Sequence, residues 1–235
     1  MKYKITPITA GYFGPVGDDT YFLNGDPDNI YMMPSMIFHL QSETESIMVD
    51  ASFSFPDRCV VAMNRIMALD VQRECYLSLL VQKYGIDPFK VTKVILTHCH
   101  WDHAGGTYAF PNAKIYVQKT DWDYFMADET LQPEFREELL SMKRRLILVD
   151  GVDKSIEGIE MIPVGGHSIG SQILYVDTAD GKAVLAGDLV MHPRNIKEHL
   201  PIGIYCYDQK ECKEALEQII QTGYKVYYSH VEKQD

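Results

Sequence analysis

Long apolar runs are missing from this chain: its hydrophobic stretches extend for only a few residues, too short to span a bilayer. The N-terminus, MKYKITPITAGYFG, also lacks the apolar core of a secretory signal. No membrane partner and a cytoplasmic location are therefore expected. Cysteine is sparse, with Cys59, Cys75, Cys99, Cys206 and Cys212 widely spaced, odd in number and without a CxxC pair. That pattern suits reduced thiols better than a disulfide framework. Tracts rich in Ser, Gly, Pro or Gln that could act as linkers are absent, so residues 1–235 read as one folded domain. Basic charge is in deficit, 22 Lys and Arg against 33 Asp and Glu for a net of −11, which disfavours nucleic acid as a partner.

What is present is an alternation of short β-prone runs and helix-like stretches. Strands are expected at Ile47–Val49, Val94–Leu96, Lys114–Val117, Ile159–Ile162, Ile173–Val176, Ala183–Leu185 and Val226–Tyr228. Helices are expected over roughly 57–84, 133–145 and 208–222, the last with Asp208 as N-cap and Gly223 as stop. Because no helix separates the strands before Tyr12 from those around 32–49, a mixed sheet in an α/β chain is more natural than a purely parallel one.

Five of the apolar segments end in a polar residue able to serve a ligand site: Asp50, His98, His167, Asp188 and His230. The C-terminal ends of strands are where α/β sheets gather such sites. The stretch His98-Cys99-His100-Trp101-Asp102-His103-Ala104-Gly105-Gly106 crowds three imidazoles and a carboxylate into six residues, which is costly without a cation. Strand-like alternation turns His98 and His100 one way, and the following turn lets Asp102 and His103 face a second point. One loop can thus serve two metals, and Gly105 and Gly106 let backbone pass close by.

His-x-His-x-Asp-His followed by His167, Asp188 and His230 resembles the metallo-β-lactamase-fold hydrolases. Together with Ile47-Met48-Val49-Asp50, THCHWDHAGG and GGHSIG, it is most similar to the N-acyl homoserine lactonase group. The resemblance implies an αββα four-layer sandwich, α+β in content with mixed sheets, and a two-metal site at its edge. It implies His98, His100 and His167 on one ion, Asp102, His103 and His230 on the other, and Asp188 bridging both. Zn²⁺ is the first expectation, with Fe, Co or Mn compatible. Asp50 is expected to orient a ligand imidazole.

The implied reaction is opening of an acyl homoserine lactone or related lactone by a hydroxide shared between the ions, with Asp102 passing the proton. An ester or thioester hydrolase of the same fold is the alternative, as is a metal-bound protein that holds an acyl ligand without turnover. No serine nucleophile elbow of the G-x-S-x-G type is expected, which sets aside the metal-free esterases. Two departures stand out: Met191 occupies the place of a family Tyr, three residues after Asp188, and Gly166 that of a Pro. A thioether donates no hydrogen bond, so His192 is expected as the substitute catalytic donor, with Tyr205 and Tyr207 nearby.

Among the remaining residues, Cys99 reads as a buried thiol, and His39 and His199 as outside the site. Lys143, Arg144 and Arg145 read as a solvated helix end. Tyr12, Phe13, Met32, Met33, Met36 and Phe38 could line an acyl pocket or simply fill the core.

Overall fold

The computed structural model describes residues 1–53, 70–73, 79–131 and 133–234. The chain opens with two long strands, β1 (Lys4–Gly17) and β2 (Ile30–Gln41), paired antiparallel around the short helix α1 (Asp18–Tyr21). Strand β3 (Ser46–Val49) adds antiparallel to β2. Parallel strands β5 (Lys93–Ile95), β6 (Lys114–Gln118) and β7 (Leu146–Val149) then extend the sheet. Strand β4 (Asp70–Arg73) closes the other edge against β1, giving the order β4-β1-β2-β3-β5-β6-β7. A second sheet holds β8 (Ile159–Pro163), β9 (Gln172–Thr178), β10 (Gly181–Leu185) and β11 (Lys225–Tyr227) in the order β11-β10-β9-β8.

Period-two alternation explains why the sheets stack. Met36, Phe38 and Leu40 of β2, Ile47 and Val49 of β3 and Ile95 of β5 meet Met161, Leu174, Val176 and Leu185 of the second sheet in one buried cluster. The alternate positions, Ile37, Met48, Val94 and Ile115 on one sheet and Ile173 and Val184 on the other, turn outward into a second cluster. Helices α2 (Trp101–Ala104), α3 (Lys119–Ala127), α4 (Pro133–Ser141), α5 (Pro193–Lys197) and α6 (Gln209–Thr222) complete the αββα arrangement. In α6, Cys212, Ala215, Leu216 and Ile219 recur at helical spacing and bury one stripe, while Asp208 caps the N-terminus through Lys210 and Glu211 N–H.

Every expected strand forms. The helix expected over 57–84 is different: residues 57–69 and 74–78 lie outside the described residues, 70–73 are strand β4, and Leu79–Lys83 form a single π-helical turn. Local pattern in 70–73 gives way to the unpaired edge of β1, whose Gly11–Gly14 backbone accepts a partner there. The helix expected over 133–145 ends at Ser141, and Lys143–Arg145 form a 3-10 turn that leads into β7. Arg145 is not a solvated end: its guanidinium donates to the Phe110 carbonyl at 2.6 Å and to the Thr107 carbonyl at 3.2 Å. No helix among the described residues is long and apolar enough to cross a membrane.

Candidate metal centre

The loop after β5 runs from Thr97 through α2, and its residues are held from both sides. Asp50, at the end of β3, adopts a left-handed backbone (φ 57°), a strained state for a non-glycine residue. Its carboxylate accepts from Thr97 N at 2.7 Å, from the Thr97 hydroxyl at 2.9 Å and from His103 Nδ1 at 2.8 Å. Gly106 matters here because a Cβ would sit 1.9 Å from the Ala51 carbonyl oxygen. Asp121, wholly buried at the start of α3, accepts from Cys99 N at 2.6 Å, the Ser168 hydroxyl at 2.6 Å and Gly170 N at 3.1 Å. It thereby ties the loop after β5 to the loop after β8, a role that nothing in the surrounding sequence KTDWDY announces.

Four of the five imidazoles have one nitrogen fixed by the surrounding protein, His103 through Asp50 and three others as follows. His98 Nδ1 donates to the Thr97 hydroxyl at 3.0 Å, His167 Nδ1 to the Tyr205 carbonyl at 2.6 Å, and His230 Nδ1 to the Pro34 carbonyl at 2.8 Å. Their Nε2 atoms therefore turn inward. His167 Nε2 stands 3.1 Å from His98 Nε2 and 2.8 Å from His100 Nδ1. That makes a first cluster of three nitrogens, His98, His100 and His167.

A second cluster joins Asp102, His103, Asp188 and His230. Asp188 reaches both clusters. Its Oδ1 lies 3.0 Å from His103 Nε2 and 3.0 Å from His230 Nε2, while its Oδ2 lies 3.4 Å from His167 Nε2. Asp102 Oδ2 sits 3.6 and 3.8 Å from the same His103 and His230 nitrogens.

The electrostatics divide along the same line. Burial, with His103, His100 and His167 adding to it, holds His98 well below the ordinary imidazole range, and burial lowers His167 to about 3. The first cluster thus offers neutral lone pairs. Burial opposes charge on His103 and His230 as well, yet the nearby carboxylates, Asp188 foremost, outweigh it and raise both. Asp188 is held well below the carboxylate range in spite of burial, chiefly by His103 and His230. His103 Nε2, Asp188 Oδ1 and His230 Nε2 are all buried without a hydrogen-bond partner. Orphaned buried donor atoms are expensive, and a cation that accepts lone pairs from imidazole and carboxylate satisfies all three together. The donor set fits a divalent metal.

A cavity of about 230 Å³ opens over the two clusters, walled by Phe13, Val16, Met33, Trp101 and Met191, with Thr20, Tyr205 and Asp102 as polar members. Phe13 and Met33 thus face the pocket, whereas Met36 and Phe38 are packed between the sheets. His192 is not brought here. Its Nδ1 caps α5 by accepting from Arg194 N at 3.1 Å, its ring packs against Tyr21 and Phe22, and it lines a neighbouring cavity with Tyr12 and Met32. Pro193 follows it as the first residue of α5, a position that needs no backbone N–H.

Among the other residues weighed from sequence, Cys99 is wholly buried, His39 bonds the Ser46 hydroxyl at 2.9 Å, and His199 lies 3.3 Å from Glu217 at the surface. The expected absence of a G-x-S-x-G run is corrected by Gly166-His167-Ser168-Ile169-Gly170, which has those letters. Ser168 is buried and its hydroxyl donates to Asp121, so it serves the scaffold.

Residues 33–230 match the model of the metallo-beta-lactamase superfamily. The chain belongs to that superfamily. It is a metal-dependent hydrolase, and its relatives sit close in fold. An N-acyl homoserine lactonase of Bacillus thuringiensis is 24% identical over 185 residues, covering 74% of this chain and 71% of that protein. One from Bacillus cereus is 25% identical over 205 residues, covering 81% and 79%. A crystal structure of a B. thuringiensis variant, with N-decanoyl-L-homoserine bound at the active site, superposes with a TM-score of 0.83 at 21% identity, covering 98% of this hydrolase and 94% of that chain.

Proposed function

We propose that this hydrolase opens the ring of an uncharged acyl lactone, of the N-acyl homoserine lactone kind, using two divalent cations. The observation that carries the reading is Asp188, whose two oxygens face two separate groups of inward nitrogens beneath an apolar pocket. His98, His100 and His167 would hold one ion, and Asp102, His103 and His230 the other, with Asp188 shared. Zn²⁺ suits imidazole and carboxylate donors, as do Fe, Co and Mn. When bound, such a pair supplies an acidified water and a positive centre for a developing oxyanion.

The residues of the chain do the rest. Asp50, Thr97, Pro34 and Tyr205 fix four of the five imidazoles through their outer nitrogens, which limits reorganisation when substrate arrives. Phe13, Val16, Met33, Trp101 and Met191 exclude water and receive an apolar acyl group. Asp102, which lines the pocket, would carry the proton to the leaving alcohol oxygen.

Charge favours a neutral substrate. Among the described residues that line the pocket there is no Lys or Arg, and the chain carries −11, so phosphorylated or carboxylate-bearing substrates would meet no countercharge from these residues beyond the ions. Neutral esters and thioesters remain the second reading.

Elemental analysis of protein purified without chelator, coupled to a pH-indicator screen over lactones, esters and thioesters, tests the assignment. We expect two equivalents of metal and proton release from lactones that stops on chelation. Two-metal protein that hydrolyses only thioesters or phosphoesters would overturn the lactone assignment, and a reproducible value of one equivalent or less after Zn²⁺ addition would overturn the two-metal site.

A further inference from the structure

The segment that carries the Tyr205 carbonyl is also the segment that carries Cys206, and Cys206 Sγ lies 2.9 Å from Cys212 Sγ in the first turns of α6. We propose that Cys206 and Cys212 are a redox modification site: a dithiol that closes to a disulfide and fastens the Tyr205–Asp208 segment, which aims His167, onto helix α6.

The sulfurs have about 0.9 Å to close, since a disulfide bond is about 2.05 Å long. Cys206 is half-buried and Cys212 fully buried, so an oxidant meets Cys206 first and Cys212 resolves the product. Burial raises both thiols above their usual range, which makes the reaction slow at neutral pH and leaves proximity to drive it. With a low-molecular-weight disulfide as oxidant, the Cys206 thiolate attacks one sulfur and expels one thiol. The Cys212 thiolate then displaces the second thiol from Cys206. Two S–H bonds are lost, one S–S bond forms, and two electrons and two protons leave on the two released thiols.

The neighbourhood explains why such a link would matter. Tyr207 N and Asp208 N donate to the Gly166 carbonyl at 2.8 and 2.9 Å, and Glu211 of α6 accepts from Gly166 N at 3.0 Å. Gly166 has φ 86°, and a Cβ there would come within 3.0 Å of Cys212 Sγ, so only glycine lets the two segments lie this close. His167 follows directly and donates to the Tyr205 carbonyl. Ile204, Tyr205 and Tyr207 are exposed, which leaves hydrogen bonds as the main restraint on this edge of the pocket in the dithiol state.

The thiol chemistry stands whether or not the proposed lactone reaction does, because both readouts are independent of metal and turnover. Reduced protein is treated with oxidised glutathione, digested with trypsin and mapped by mass. We expect peptide 198–210 joined to peptide 211–213 through a bond cleaved by dithiothreitol. Hydrogen exchange at the Tyr207 and Asp208 amides should slow about tenfold on oxidation, and Cys206→Ser and Cys206→Ala should show neither effect. A stable glutathione adduct on Cys206 without the joined peptides would overturn the proposal, as would joined peptides with unchanged exchange at both amides.

Discussion

Asp50 and His103 meet through a single 2.8 Å contact, Oδ2 to Nδ1, and this contact decides which His103 nitrogen faces Asp188. The imidazole can present only Nε2 inward while Asp50 occupies the other side. Asp50 is bound in turn by Thr97, so one carboxylate from β3 sets the geometry of both the loop and the ring.

Asp50→Asn should therefore weaken metal at the His103 site by about 10–100-fold while leaving the first ion in place. Asp188→Asn should cost more, because both nitrogen clusters lose their shared anion. Metal titration and kcat measured on the two variants side by side check this; equal losses with unchanged metal content would contradict the division of roles.

Removing metal should destabilise the fold, since a cation held by these donors would bind their native arrangement and not the unfolded chain. At free metal 100 times Kd, the linkage is worth about 2.7 kcal/mol per site. Chelated protein should melt at lower temperature and recover on adding Zn²⁺. An unchanged Tm would show that the clusters do not hold the cations.

His192→Ala is expected to cost about 1 kcal/mol of stability through the lost cap on α5 and to leave kcat/KM within about twofold. Removing two pocket hydroxyls together, Thr20→Val with Tyr205→Phe, should lower kcat on a lactone by about 10². Denaturant midpoints and steady-state kinetics separate the two effects. A large kcat loss in His192→Ala alone would return the donor role to that residue.

Burial holds His39 below the usual imidazole range. Native His39 stays neutral when the unfolded chain begins to take up its proton, so stability is unaffected well above pH 6.5 and falls as pH drops below it. His39→Gln should lose less stability than the parent between pH 7 and pH 5. Urea midpoints across that range measure the difference, and parallel curves would exclude His39 as a contributor.

The site was legible in sequence because its chemistry is concentrated: His98, His100, Asp102 and His103 share one short loop, and His167, Asp188 and His230 each follow an apolar run. The strands were legible for the same reason, short β-branched runs with clear ends. Asp121 was not, because its importance arises only where the loops after β5 and β8 meet in space. Thr97 stood beside His98 and could have been flagged by adjacency alone. Strand β7, Leu146–Val149, was overlooked behind a charged turn although its four residues are uniformly apolar. His192 was misplaced because four residues of separation from Asp188 say nothing about direction, and its side chain is taken up in capping α5.

Each nitrogen cluster draws on both sheets. The first combines His98 and His100, after β5, with His167, after β8; the second combines Asp102 and His103 with Asp188 and His230, after β10 and β11. The two halves of the sandwich are thus cross-braced at one rim, and metal affinity becomes a gauge of their alignment. A truncation deep between the sheets, such as Leu174→Ala, should be felt as looser metal binding at a site it never touches. Conversely the pocket walls contributed by β1, α1 and the turn after Asp188 can change without loosening the brace, which leaves substrate choice free to drift on a fixed chemical frame.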